Sequence, residues 1–110
     1  MNRKELLKKL LNVPVAISVE GYGDYKVKGL STADYLFAAA NAGAEDEIQQ
    51  EKYFAAIVAR CTLDLKNKRV FADDDLTILA EAEAGFILPL ALKIQTLSGN
   101  LETEEDVKKA

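Results

Sequence analysis

Hydrophobic and polar positions change period several times along this chain, and each change marks an element. Residues 3–11 place Leu6, Leu7, Leu10 and Leu11 three and four residues apart, among Lys4, Lys8 and Lys9. That spacing predicts a short helix with one apolar stripe. Pro14 ends helical bonding. Val13, Val15, Ile17 and Val19 then alternate with Pro14, Ala16, Ser18 and Glu20, the period-two pattern of a strand with one covered face. Gly21-Tyr22-Gly23-Asp24 supplies residues that tolerate positive φ. Tyr25, Val27 and Gly29 alternate with Lys26 and Lys28 in a second strand. The expectation is a β-hairpin over about 13–29. Two strands alone are rarely stable in water, so the pair must pack on a helix or join strands from another chain.

Helical spacing returns at Ser31. Ser31 is a natural N-cap, and Asp34, three residues on, can answer both the cap and the helix dipole. This helix runs to Ala42, with Asn41 and Gly43 as terminators. Glu45, Asp46 and Glu47 open the next helix, whose stripe is Ile48, Tyr53, Phe54, Ile57, Val58 and Cys61. Alanines at 55, 56 and 59 allow close helix approach. Leu65 to Lys68 reads as a turn with Asn67 in a left-handed conformation, after which Val70 and Phe71 fold back toward the core. Asp73-Asp74-Asp75 starts a last apolar helix carrying Leu76, Leu79, Phe86, Ile87, Leu90, Ile94 and Leu97. One aspartate is expected to cap it. The Pro89 ring clashes with the carbonyl of Gly85, which predicts a kink between them or two short helices. Ser98-Gly99-Asn100 ends the helix. Residues 53–97 thus propose a helical hairpin that holds most of the apolar surface. The fold class expected is α+β, mostly α-helical: an N-terminal β-hairpin followed by three to four helices with a helical-hairpin core. One domain is expected over residues 1–100, with a charged, mobile tail over 101–110.

Composition narrows the function. Hydrophobic residues are 49% of 110, aromatics only 7%, and Trp is absent, so the expected core is Leu, Ile, Val and Ala. The net charge of −4 argues against duplex binding, which gains affinity from Lys and Arg on phosphates. No aromatics interleave with a basic patch, as single-strand binding favours. No stretch approaches the roughly 20 apolar residues of a membrane span. Residues 3–11 have no aromatic anchor for a membrane surface, and docking on the chain's own body or on a neighbouring subunit is expected of them. The leading apolar run is short and broken by Lys8 and Lys9, unlike a signal peptide, so cytoplasmic residence is expected.

Chemistry is thin. The chain has no histidine, which removes Ser-His-Asp and Cys-His nucleophile systems and histidine metal sites. Cys61 is the lone cysteine, so neither an intrachain disulfide nor a structural zinc site can form, and it reads as a small buried hydrophobe. Glu45 to Glu47 and Asp73 to Asp75 read as dipole partners of helix starts. Asp64 opens a calcium-like run, but Lys66 and Lys68 occupy the ligand positions and the glycine is missing. Gly21-x-Gly23 lacks the third glycine and the following helix of a nucleotide loop. No catalytic, cofactor or metal residue is nominated. The protein is not expected to be an enzyme, and its function must lie in what it binds.

The order of local patterns resembles a known family. An alternating Tyr25-Lys26-Val27-Lys28 strand precedes Leu30-Ser31-Thr32-Ala33-Asp34 at a helix start. Ile57-Val58-Ala59-Arg60-Cys61-Thr62-Leu63-Asp64, a Lys/Asn turn and Val70-Phe71-Ala72-Asp73-Asp74-Asp75 then lead into a leucine-rich helix. Over about residues 13–99 this resembles the tail assembly chaperones of bacteriophages with long non-contractile tails, and similar minor tail proteins of prophages. The resemblance implies a non-enzymatic protein of the host bacterial cytoplasm, absent from the mature virion. It would coat the long helical tape-measure protein and help recruit tail-tube subunits, and self-association is compatible with it. The exposed parts of the stripes on residues 46–62 and 76–97 are the expected contact surfaces. The rival expectation is a small virion structural protein, such as a head–tail connector component.

Overall fold

The alternation that begins at Val13 becomes β1 (Val15–Val19), and the residues after the glycine turn become β2 (Gly23–Val27). The strands pair antiparallel from Val15 opposite Val27 to Val19 opposite Gly23. Gly21 and Gly23 take φ of 86° and 104°, which an L side chain resists. Val19 and Val27 are buried, and Ile17 and Tyr25 pack against the core from the same face. The computed structural model describes residues 1–43 and 49–99. The expected helix start at Glu45–Glu47, Ile48, and the tail 101–110 lie outside the described residues.

Helix α1 (Arg3–Leu10) forms where the leucine spacing places it, capped by Asn2, whose Oδ1 accepts from Glu5 N–H at 2.8 Å. Helix α2 (Thr32–Asn41) begins on the expected reciprocal cap. Ser31 Oγ accepts from Asp34 N–H at 3.0 Å, and Asp34 Oδ2 accepts from Ser31 N–H at 3.4 Å. Helix α3 (Gln50–Cys61) follows and is the centre of the molecule, touching α2, α4 and α5. Ala55, Ala56, Ile57, Val58 and Ala59 are all buried, so α3 is apolar nearly all round rather than striped.

The hairpin is not left to a second chain. Directly after α3, Thr62–Leu63 forms β3 and pairs antiparallel with β2, Lys26 opposite Leu63 and Val27 opposite Thr62. Sheet order is β1-β2-β3. The strand is short because Asp64 turns the chain: its Oδ1 accepts from Lys66 and Lys68 N–H at 2.7 and 3.0 Å. Asn67 sits at φ 66°, the left-handed conformation expected of it. Phe71 packs on the core as expected, whereas Val70 stays exposed.

The last apolar stretch divides into α4 (Leu76–Ala80) and α5 (Ala84–Leu97), after one 3-10 turn over Asp73–Asp75. The break falls at 81–83, upstream of the Gly85–Pro89 interval where a kink was the alternative expectation. Pro89 is accommodated inside α5 because both it and Gly85 face solvent, so water can serve the freed Gly85 carbonyl. Phe86 on α5 gathers an aromatic cluster that the low aromatic content did not foretell. Its ring lies 4.9 Å from Tyr22, 5.8 Å from Tyr25 and 6.0 Å from Phe71, fastening the hairpin turn to the helical body. At the other end of α5, Ser98 Oγ accepts from Leu30 N–H at 2.7 Å. A methyl group on Gly29 would meet the Leu97 carbonyl oxygen at 3.0 Å and Asn12 Oδ1 at 3.2 Å, so any larger residue there would need the two chain segments to give by a few tenths of an ångström.

Candidate partner-binding surface

The charged residues nearest the core form one connected chain. Asp34 has a side chain 7% exposed, and Lys28 Nζ and Arg60 Nη1 approach it at 3.5 and 3.4 Å. Arg60 also grips Asp73 with two parallel bonds, Nε to Oδ1 at 3.0 Å and Nη2 to Oδ2 at 3.1 Å. Its guanidinium lies 3.9 Å from the Phe37 ring centre. Arg69 closes the series, donating to Asp73 Oδ1 at 2.7 Å and to the Ala59 carbonyl. The network ties β2, α2, α3 and the turn before α4 into one unit. Every acid in it has a cationic partner, which describes a structural clamp.

The three aspartates of the sequence are thereby dispersed. Asp73 faces Arg60 and Arg69, Asp75 Oδ2 accepts from Ala72 N–H at 2.9 Å, and Asp74 is exposed. No group of three or more Cys, Asp or Glu is placed to hold a metal among the described residues. Cys61 lies fully buried, its Sγ 3.9 Å from the Gly29 carbonyl and from Asp34 Oδ2. Burial first, and the Asp34 charge second, push its thiol up to about 12, so it is protonated and inert at neutral pH. No helix of the described residues is long and apolar enough to cross a membrane.

The clamp carries a pH dependence. The Arg69 guanidinium, with Arg60 behind it, holds the Asp73 carboxyl below its ordinary 3.8, and the Lys68 N–H does the same for Asp64. A carboxyl lowered on folding contributes stability that is intact above its unfolded value and is lost as pH falls through the folded one. Urea midpoints should therefore decline once pH drops below 3.8, and Asp73→Asn should flatten the decline. An unchanged slope in the variant would count against this role.

What remains for a partner is apolar surface. The face of α3 is spent on the core. On α4 and α5, however, Ile78 is 70% and Leu92 56% exposed, and Leu88, one turn before Leu92, is also exposed. Leu36 on α2 is 60% exposed. A shallow cleft of about 120 Å³ opens between α3, α4 and α5, lined by Phe54, Leu79, Ala80, Ile87 and Leu88 with Glu51 at its edge. A wider depression of about 510 Å³, sharing Glu51 and Ala80, is lined by Asp73, Asp74, Leu76 and Glu81. Neither is an enclosed chamber with converging polar groups.

Five α-helices among the described residues and a three-stranded antiparallel sheet, on which α3 and α5 pack, make this an α+β fold of mainly helical content. The chain matches no protein-family model, and no curated protein sequence matches it. Among solved structures it is similar to the bacteriophage HK97 tail assembly chaperone, with a TM-score of 0.59 over 89% of this chain and 99% of that one, at 12% identity. At that identity the likeness is one of fold, and the fold of this chain is that of a phage tail assembly chaperone.

Proposed function

We propose that the protein is a tail assembly chaperone of a long-tailed phage or prophage, acting without catalysis in the host cytoplasm and absent from the finished virion. It covers the apolar stripes of a long helical tape-measure protein and helps bring tail-tube subunits to it. The observation that carries this reading is the outward apolar face of α5, Leu88 and Leu92, with Ile78 on α4, presented by an acidic chain of this fold. Apolar residues one helical turn apart are the anchors by which helix and groove recognise each other. The charge of −4 keeps a complex with an aggregation-prone partner soluble.

The test is co-expression with the tape-measure protein of the same phage or prophage. The protein should keep that partner soluble and co-purify with it. Leu92→Asp should lower recovery of the partner at least ten-fold while leaving the thermal midpoint nearly unchanged, since that side chain is 56% exposed, and adding Leu88→Asp should lower recovery further. Detection of the protein as a stoichiometric part of purified particles would instead establish a connector or minor tail component.

A further inference from the structure

We infer that the acidic C-terminal segment 101–107 lies along α1 of its own chain and covers that helix's leucine stripe, an intramolecular clasp held by opposite charges. No residue of α1 is buried, and Leu6, Leu7, Leu10 and Leu11 all stand exposed. Isolated helices persist in water only from roughly 12–15 residues, and α1 has eight, so a stripe of this kind is completed by something that covers it.

Charge selects the occupant. Arg3, Lys4, Lys8 and Lys9 stand against Glu5 alone, and none of the four enters an ion pair among the described residues. The cations nearest the core, Lys28, Arg60 and Arg69, are already matched by Asp34 and Asp73. Segment 101–107 supplies the complement to α1: Glu102, Glu104, Glu105 and Asp106 fill four of five consecutive positions, bracketed by Leu101 and Val107. The carboxylates would meet the lysines, and the two apolar ends the leucines.

The connection places the two segments together. Asn12 Oδ1 and the Leu97 carbonyl oxygen approach the same point beside Gly29, at 3.2 and 3.0 Å, and only Leu11 separates Asn12 from the end of α1. Ser98 is fastened there too, by its bond from Leu30 N–H at 2.7 Å. The chain therefore leaves α5 where α1 arrives. Helix α1 is about 12 Å long, and an extended chain from Asn100 to Asp106 spans roughly 20 Å. The segment can run antiparallel along the whole helix, past Lys8 and Lys9 to Lys4 and Arg3. A short tether sets an effective concentration of about millimolar, which favours the chain's own segment over a free acidic peptide. This inference is independent of the tape-measure reading, since it concerns the two ends of the free protein.

Hydrogen exchange on the full chain at low salt tests it. The α1 amides are expected to exchange at least ten-fold more slowly in the wild type than in Glu104→Lys with Glu105→Lys. Lys4→Glu with Lys8→Glu should release them equally, and all four changes together should restore protection, because the two charges have then traded places. Salt of about 1 M, where the Debye length is about 3 Å, should remove the protection from the wild type. In a variant carrying Leu7→Cys and Val107→Cys, oxidation should close a disulfide within one chain at every dilution. Equal exchange in the wild type and the Glu104/Glu105 variant overturns the inference. So does protection that grows with protein concentration, or a cross-linked dimer, either of which would put a second copy on α1. Protection gained only when acidic phospholipid vesicles are added overturns it in favour of a membrane contact.

Discussion

Replacing Arg60 with alanine is expected to lower the unfolding free energy by about 3 kcal/mol, measured as a drop in urea midpoint at unchanged m-value. The magnitude follows from what Arg60 leaves behind. Asp34, almost fully enclosed, would keep Lys28 at 3.5 Å as its cation beside the Ser31 N–H, and Asp73 would keep Arg69. Breaking one side of a buried pair costs roughly 3–5 kcal/mol, and the partial exposure of Arg60 places it at the lower end. The Phe37 contact adds about 0.5–1 kcal/mol. Arg60→Lys should recover less than half, because an ammonium cannot reproduce the two-bond grip on Asp73. A loss under about 1 kcal/mol for the alanine variant would show that the clamp is a surface ornament.

A comparable loss is expected at the centre of α3. Ile57 is fully buried and ranks among the largest such side chains. Truncation to alanine removes buried methyl groups and leaves a void that tightly packed neighbours fill only partly, at about 3–4 kcal/mol. Ile78→Ala removes the same atoms from a side chain 70% exposed and should stay within about 0.5 kcal/mol. The contrast between two chemically identical substitutions, read by thermal or urea unfolding, separates α3 as core from α4 as surface. Equal effects would contradict that division.

Local patterns were the legible part of this fold. Ser31 and Asp34 announced the start of α2 because a reciprocal cap is written in two residues at fixed spacing. Asn67 announced its left-handed turn, and the alternating valines announced β1. What escaped notice depends on residues distant in sequence. Thr62 and Leu63 are too few to show a period, and they become a strand only because β2 is already beside them. Arg60 gave one faint sign, a cation between Ala59 and Cys61 on an apolar helix, but nothing local named Asp34 and Asp73 as its partners. Phe86 looked like one more member of the stripe, though it collects Tyr22, Tyr25 and Phe71 from three separate segments. The break at 81–83 was masked by the stronger helix-breaking sign of Pro89. The candidate surface was half legible: the sequence listed the apolar residues of both long helices, and only packing decided that those of α3 turn inward while Leu88 and Leu92 do not.

The crowding around Gly29 has a topological consequence. Because Asn12 and Leu97 press on the same glycine, the path from β1 to the end of α5 is a nearly closed circuit. Splicing those two points with a short linker, and reopening the circuit at the solvent-facing bend after Asp64, would give a circularly permuted polypeptide with the same interior. In such a rearranged chain α1 is detachable, and its contribution can be assayed as a separate peptide.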